Sequence, residues 1–478
     1  MRVETFNTGR SGYSGAVWII AAGVFLLGSS LFGSGAAALE TAGWRMNGNG
    51  EFPEATPPAE WSPTKNVIWS TPLANKSNGS PVLLNGMIFI TAEPESLLCL
   101  DAATGKILWE KTNTLEDAAT PEELEKSKKQ REDGAAIEGD LKKAQGEFQS
   151  LRKQARDAPT DEELKKKVAT AKEHITELQQ KLEPFKTFLP PQAHPTNGYS
   201  SSTPVSDGKN VFAVFGNGVA CCYDVKGNRV WIRHIENPLS PNNWGHSTSP
   251  LLSGDKLLVH LNDLKALNTT TGAEVWSAKV RASWGTPAAV AIGDTPAIFT
   301  PGGDLVRVSD GHVMAANVAH LEYDAPIVHD GVVYFIENGG KAVKIPEKAG
   351  DAVKPEVLWT TALNKERYYA SPVILDGLIY AVTRYQHFSV IDAKTGALVY
   401  EKDLALGDKA ECYPSIALAG KRIYVSADNG ATLVLEPGRE YKEVTRNMLE
   451  PFRGSPVFDG KRVYIRTQKV MYCIGEAP

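Results

Sequence analysis

The chain has 478 residues, a formal net charge of −5 at pH 7, 42 glycines, 29 prolines and five cysteines. That length suffices for one large domain or several small ones, and the glycine and proline content signals many turns. So small a charge, with no basic stripe anywhere, gives no footing for nucleic-acid binding.

The N-terminus reads as a targeting segment. Arg2 and Arg10 precede an apolar run at 16–32 (AVWIIAAGVFLLGSSLF), and Ser34–Ala38 supplies small residues of the kind a signal peptidase needs. We expect a cleaved export signal at 1–38 and a periplasmic or extracellular protein. The alternative is an uncleaved anchor, because 17 apolar residues sit at the lower edge of spanning length. In that case this segment is the sole membrane contact. No cysteine precedes Cys99, so a lipid-modified N-terminal cysteine is not expected.

Residues 39–65 form a lead-in, and NVIWS at 66–70 reads as a β-strand. Beyond it the chain repeats. A proline opens an apolar run at Pro81, Pro204, Pro250, Pro287, Pro326, Pro372, Pro414 and Pro456, with steps from Pro204 of 46, 37, 39, 46, 42 and 42 residues. A turn glycine and a β-rich run follow each proline (LIYAV, RIYVS, RVYIR), and then a third run. In the best copies a Thr-Gly turn leads to a fourth run bearing an aromatic residue, as in LCLDAATGKILWE at 98–110. Glycine reaches the positive φ such turns require, and proline at the head of a strand loses no essential ladder bond.

Four short strands every 40 residues or so predict an all-β, eight-bladed β-propeller, with seven blades as the runner-up because VMAAN and VTRN lack the aromatic. The eighth repeat stops after three runs. The strand at 66–70 has the fourth-strand pattern, so it is expected to complete that blade and close the ring. The first blade then spans 66–113 with this closing strand, and blades two to eight span 187–478.

Between them, residues 114–186 are rich in Lys, Glu, Ala and Gln. Ile137, Leu141, Ala144, Phe148, Leu151 and Ala155 are spaced 4, 3, 4, 3, 4, as are Leu164, Val168, Ala171, Ile175, Leu178 and Leu182. Two such stripes predict an inserted antiparallel α-helical coiled-coil hairpin. Thr120, Pro121 and Glu123 are expected to start its first helix, Thr160 with Glu163 to cap its second, and Gly134 and Gly139 to weaken the first. The arm is either a lever for a protein partner or a solvated spacer.

In a propeller, the loops entering each inner strand ring one mouth of the channel. The positions three before each proline are Asn78, Ser201, Ser247, Trp284, Tyr323, Tyr369, Glu411 and Arg453, and Trp244, His246, Asp324, Tyr368 and Cys412 lie beside them. From this collar we take Asn78, Trp244, His246, Trp284, Tyr323, Asp324, Tyr369, Glu411 and Arg453 as candidate binding residues. No catalytic or metal-ligating set is discernible: there is no G-x-S-x-G or H-E-x-x-H, and His246 has no partner at ligand spacing. Cys221-Cys222 lies inside the strand VACCYD, so its two side chains should point to opposite faces.

The copies LCLDAATGKILWE, LKALNTTTGAEVW and SVIDAKTGALVYE, with the SPV openings, resemble the pyrroloquinoline-quinone (PQQ)-like β-propeller repeat family over about 44–113 and 195–475. The front portion, WRMNGNG at 44–50 and PPAEWS at 57–62, looks like the lead-in of exported bacterial members without established enzyme activity. The repeat serves both enzymes and scaffolds. The resemblance therefore implies either a non-catalytic exported propeller presenting loops to protein partners, without a cofactor, or a quinoprotein dehydrogenase holding PQQ and calcium at the channel mouth. In the enzymes a vicinal cysteine pair lies beside the cofactor in a loop, whereas here it lies in a strand. A third reading is a carbohydrate or small-molecule binder using Trp244, Trp284, Tyr323, Tyr369 and Arg453.

Overall fold

The computed structural model describes residues 41–478 apart from 47, 186–190, 240, 477 and 478; the expected export signal at 1–38 lies outside them. The described strands form eight sheets, each a four-strand antiparallel meander or built on one. The first comprises Val82–Leu84, Met87–Ala92, Ser96–Asp101 and Ile107–Thr112. The next six occupy 205–234, 251–278, 288–315, 327–361, 370–403 and 417–448 in turn. The eighth has three strands within 457–474 and takes Val67–Pro72 as its fourth, with Trp69 opposite Cys473. The runs VMAAN and VTRN, which lack the aromatic, still lie in fourth strands, Val313–Ala315 and Glu443–Met448. The architecture is thus mostly β and propeller-like.

The third and fourth strands of all eight sheets share one irregularity. In the first, Cys99 faces Trp109 while Leu100 faces Ile107, so Leu108 is an extra residue. Val230, Val275 and Leu358 occupy the same place in other sheets. Such a bulge turns the extra side chain outward and re-aims the next one. Leu108, Val230, Val275 and Leu358 are accordingly exposed, and the tryptophan after each turns toward the neighbouring sheet.

There the tryptophans join one sheet to the next. Trp69, Trp109, Trp231, Trp276 and Trp359 donate their indole N–H to the carbonyls of Ala102, Val225, Thr269, Val308 and Ala393 at distances of 2.8–3.2 Å. Each ring also covers a turn glycine of the sheet it reaches, as Trp69 covers Gly105. Gly105 has φ +73° and a Cβ there would run into the indole, so two independent constraints select glycine. Asp101 holds the same turn by accepting from the Thr104 amide (2.8 Å) and hydroxyl (2.6 Å). LCLDAATGKILWE is therefore a seam between sheets, as its repetition implies.

The lead-in is no simple linker. Ala42 exchanges backbone hydrogen bonds with Ser206 in the first strand of the second sheet. The chain then turns at Gly43–Met46 and returns as Glu51–Phe52, parallel to the first strand of the seventh sheet. Thr56 next donates to Gly460 and Trp61 stacks on Tyr424 (6.1 Å). Because the first strands of successive sheets are neighbours and form the inner wall, 42–52 is a plug held against that wall at two separate sheets.

Between the first and second sheets lie helices α1 (Leu115–Ala118), α2 (Pro121–Asp157) and α3 (Glu162–Leu182). The latter two pack on one another, burying Ala144, Leu178 and Leu182. Helix α2 starts at Pro121 as expected and runs unbroken through Gly134 and Gly139. The expected cap of α3 is displaced by one residue: Asp161, not Thr160, accepts from the Leu164 amide. A capping box does occur, at Thr114 and Asp117 of the unforeseen short α1, where each side chain binds the other's backbone N–H.

Candidate site at the channel mouth

The residue before each opening proline enters the inner wall. Six of those eight residues are Ser or Thr, and one rule joins them: an amide of one sheet donates to the hydroxyl of the next. Ser80 donates to Thr203 (3.0 Å), Thr203 to Ser249 (3.0 Å) and Ser249 to Thr286 (3.1 Å). After a break at Ala325, that residue donates to Ser371 (3.1 Å), Ser371 to Ser415 (3.2 Å), Ser415 to Ser455 (3.0 Å), and Ser455 back to Ser80 (2.8 Å). Seven hydroxyls thus run around the wall, with one gap at Ala325.

This belt corrects one sequence expectation. Ser415 follows Pro414, whereas the other serines and threonines precede their prolines. Ile416 therefore holds the proline place, and the seventh sheet's first strand begins just after it, at Ala417. Counting back three from Ile416 gives Tyr413, not Glu411. Tyr413 lines the cavity at the mouth; Glu411 does not, and its backbone N–H instead donates to Asp428 (3.0 Å).

With that register five sheets in succession carry a stacked arc. Trp284 stacks on Tyr323 (5.4 Å, 13°), Tyr323 meets Tyr369 edge to face (5.2 Å, 83°), and Tyr369 stacks on Tyr413 (4.6 Å, 19°). The Arg453 guanidinium lies 3.8 Å from the Tyr413 ring centre and pairs with Asp428 at 3.0 Å. Arg367 sits over Tyr323 at 5.5 Å. Opposite them, Asn78 donates to the Thr196 carbonyl (2.8 Å) and to Ser201 (3.1 Å), and Ser247 donates to the Trp284 carbonyl (3.0 Å).

The arc, the polar positions and the hydroxyl belt enclose a cavity of about 420 Å³ into which Trp44 of the plug also projects. Asn78, Trp244, Trp284, Tyr323, Tyr369 and Arg453 all line it. Trp244 is exposed there and stacks on His194 at 4.1 Å. Three candidates are elsewhere. His246 is buried, its ring nitrogen bonded to the Leu239 carbonyl, and borders a smaller depression beside Arg281 and His320. Glu411 is displaced as above. Asp324 is buried beneath the rim, as are Tyr368 and Cys412.

Asp324 has an unusual setting. Its wholly buried carboxyl meets the Glu337 carboxyl, with which it can share a proton, and burial, reinforced by Glu337, raises its pKa well above the usual carboxylate range. Burial also pushes Glu337 up to about 7, although the amides of Glu322 (2.7 Å) and Tyr323 (3.2 Å) donate to it and pull the other way. Arg45, next to Trp44 in the plug, is wholly buried. One of its nitrogens donates to the carbonyls of Pro372 and Ile416 (2.8 Å each), while Nε and Nη1 have no partner. Burial lowers it to about 9, against the favourable charges of Glu51 and Asp324. Sequence reasoning missed Trp44, Arg45, Arg367, Tyr413 and the belt. Of these, only the belt and Tyr413 had a signal, the Ser/Thr recurring at the start of each inner strand.

Cys221 and Cys222 point to opposite faces of their strand, into two different core clusters, and all five cysteines are buried and unbridged. Among the described residues no three His, Cys, Asp or Glu side chains gather to hold a metal, and no carboxylate lines the mouth cavity. That donor set does not suit a calcium-held quinone.

The profile of the family described as outer membrane protein assembly factor BamB matches residues 59–135, 192–320 and 326–477, so the chain belongs to that family. No protein of curated function matches its sequence. Among solved structures, BamB from Moraxella catarrhalis aligns with a TM-score of 0.54 at 12% identity, covering 86% of this chain and 97% of that one. A europium-containing methanol dehydrogenase aligns at 0.52 and 10% identity, covering 91% and 98%. The computationally designed Ika8 protein aligns at 0.50 and 8%, covering 90% and 99%. At such identities the likeness establishes a shared fold.

Proposed function

We propose that the chain is an exported, non-catalytic eight-bladed propeller, closed by the strand at 67–72 and bearing a coiled-coil arm, that binds a protein partner or ligand at its channel mouth. The observation that carries this reading is the stacked arc from Trp284 to Arg453, an aromatic and arginine cluster at one mouth of the inner wall. Tyr, Trp and Arg are the residue types in which binding energy concentrates. Membership of the BamB family supports a protein partner, with the arm of α2 and α3 as a second contact surface. No helix among the described residues is long and apolar enough to cross a membrane.

The runner-up is a PQQ- and calcium-dependent dehydrogenase, favoured by the fold shared with the methanol dehydrogenase. Against it stand a cavity lining without carboxylates and a vicinal cysteine pair inside a strand. Titration of the full chain with PQQ and calcium, followed by quinone absorbance and dye-linked alcohol oxidation, separates the two. Our reading expects neither binding nor turnover, and stoichiometric tight binding overturns it. Crosslinking capture of partners by wild type, by Tyr413→Ala and by an arm deletion then tests the scaffold. Partners retained by both variants refute both surfaces.

A further inference from the structure

The chemistry of the mouth cavity identifies a ligand class, on the reading that the cavity is a binding site. Its charge is one-sided. Arg367 and Arg453 line it, and among the described residues no carboxylate does. Arg453 is shared with Asp428, but the hydrogen bond that Arg367 makes is to the phenol of Tyr369 (3.3 Å), which leaves its charge unpaired.

The belt at the base has the same polarity. Each of its hydroxyl oxygens accepts an amide N–H from the sheet before it, and no bond uses the hydroxyl's own hydrogen. A serine or threonine in that state still has one donor to offer. Trp284 and Tyr323 turn their faces to each other, and Tyr413 is covered by Tyr369 on one side and Arg453 on another, so much of the arc's ring face is already in contact. Hydroxyl hydrogens and the guanidinium groups of Arg367 and Arg453 present positive ends to one volume.

We infer that this cavity takes a small acidic saccharide, a pyranose carrying a carboxylate or sulfate. A volume of about 420 Å³ falls within the small-molecule range and would not admit a folded partner as far as the belt. A flat aromatic acid would need open ring faces to stack on, and within the arc Trp284, Tyr323, Tyr369 and Tyr413 already contact one another. A sugar ring has many hydroxyl oxygens, which match a lining of serine, threonine and asparagine groups. Its anionic substituent pairs with Arg367.

The test is calorimetric titration of the full chain at low and at 0.15 M salt with digalacturonate, galactose 6-sulfate, galactose, inorganic sulfate and an aspartate-rich peptide. Both acidic sugars are expected to bind, and more weakly at the higher salt. Galactose should bind about tenfold more weakly, as should the acidic sugars to Arg367→Gln, which lacks one charge-assisted contact. Arg367→Lys should restore part of that loss. Arg367 is exposed at the lip, so a melting curve matched to wild type is expected for both variants. Equal affinity for galactose and its acidic forms overturns the inference, as does tighter binding of inorganic sulfate or of the peptide. If no sugar binds while Tyr413→Ala abolishes partner capture, the sugar inference falls and the scaffold reading stands. If neither depends on the rim, both fall.

Discussion

The two halves of the mouth are built on different physics. Across the first three sheets the rim positions are Asn78, Ser201 and Ser247; Asn78 and Ser247 are fixed by hydrogen bonds to the backbone of a neighbouring loop, and Ser201 by one to the Asn197 carbonyl of its own loop. Across the last five they are Trp284, Tyr323, Tyr369, Tyr413 and Arg453, which hold one another by stacking. The polar half is also lined by its own chain, with Asn197 donating to the carbonyls of Trp244 (2.9 Å) and His246 (3.1 Å). A hydrogen-bonded rim is spent on internal architecture. The stacked rim keeps the Arg367 charge available, which is why we place binding there.

The sharpest way to break this contrast is at glycines under the two halves. A Cβ on Gly285, below the arc, would overlap the backbone carbonyl of Asp324, which cannot step aside. Gly285→Ala should cost about 3 kcal/mol or more in urea unfolding. A Cβ on Gly79, below the polar half, would press chiefly on the Thr91 hydroxyl, so Gly79→Ala should cost less, about 1–2 kcal/mol. Equal losses would show that the halves are equally rigid.

Next in size is the arc itself. Tyr413→Ala removes one stacked partner and the ring beneath Arg453, a loss of about 1–2 kcal/mol. Glu411→Ala should stay within about 0.5 kcal/mol, as expected of a side chain outside the cavity. If thermal melting ranks them the other way, the corrected register is wrong.

The pH dependence belongs to the arc as well. Glu337 fixes the loop bearing Tyr323, and burial raises it from 4.5 to about 7 in the folded state. The folded protein therefore binds the extra proton. The contribution is fully present below pH 4.5 and is lost as pH rises through about 7. Glu337→Gln should flatten this fall in melting temperature. Some slope should survive, because Asp324 beside it shifts in the same direction. An unchanged slope would remove Glu337 from the account.

The smallest effect concerns the gap in the belt. Ala325→Ser restores the eighth hydroxyl and gives the Thr286 amide an acceptor, which should add about 0.5–1 kcal/mol. Destabilisation instead would mean that the gap is filled in some other way.

How much of this was legible in the sequence depends on whether the signal repeats. The strands, turns and seam tryptophans were legible because each recurs with the same neighbours, and seven of the eight counted rim positions line the cavity. Glu411 failed because proline was used as the marker, although the hydroxyl one residue earlier is what the neighbouring sheet recognises. Asp324 and His246 were near the rim in sequence, yet backbone direction turned them inward. The plug left no periodic trace. Nothing in Trp44-Arg45 tells that its guanidinium will meet the carbonyls of Pro372 and Ile416, more than 320 residues away.

Pairing of the strand at 67–72 with residues 470–474 carries a temporal consequence. At about 5–20 residues per second, a ribosome needs roughly 20–80 s to cover the 400 or so residues between the two partners. Throughout that interval the early strand has no mate. The last sheet cannot be completed before residues 470–474 have been made. Throughout that span an unpaired edge needs protection from wrong partners.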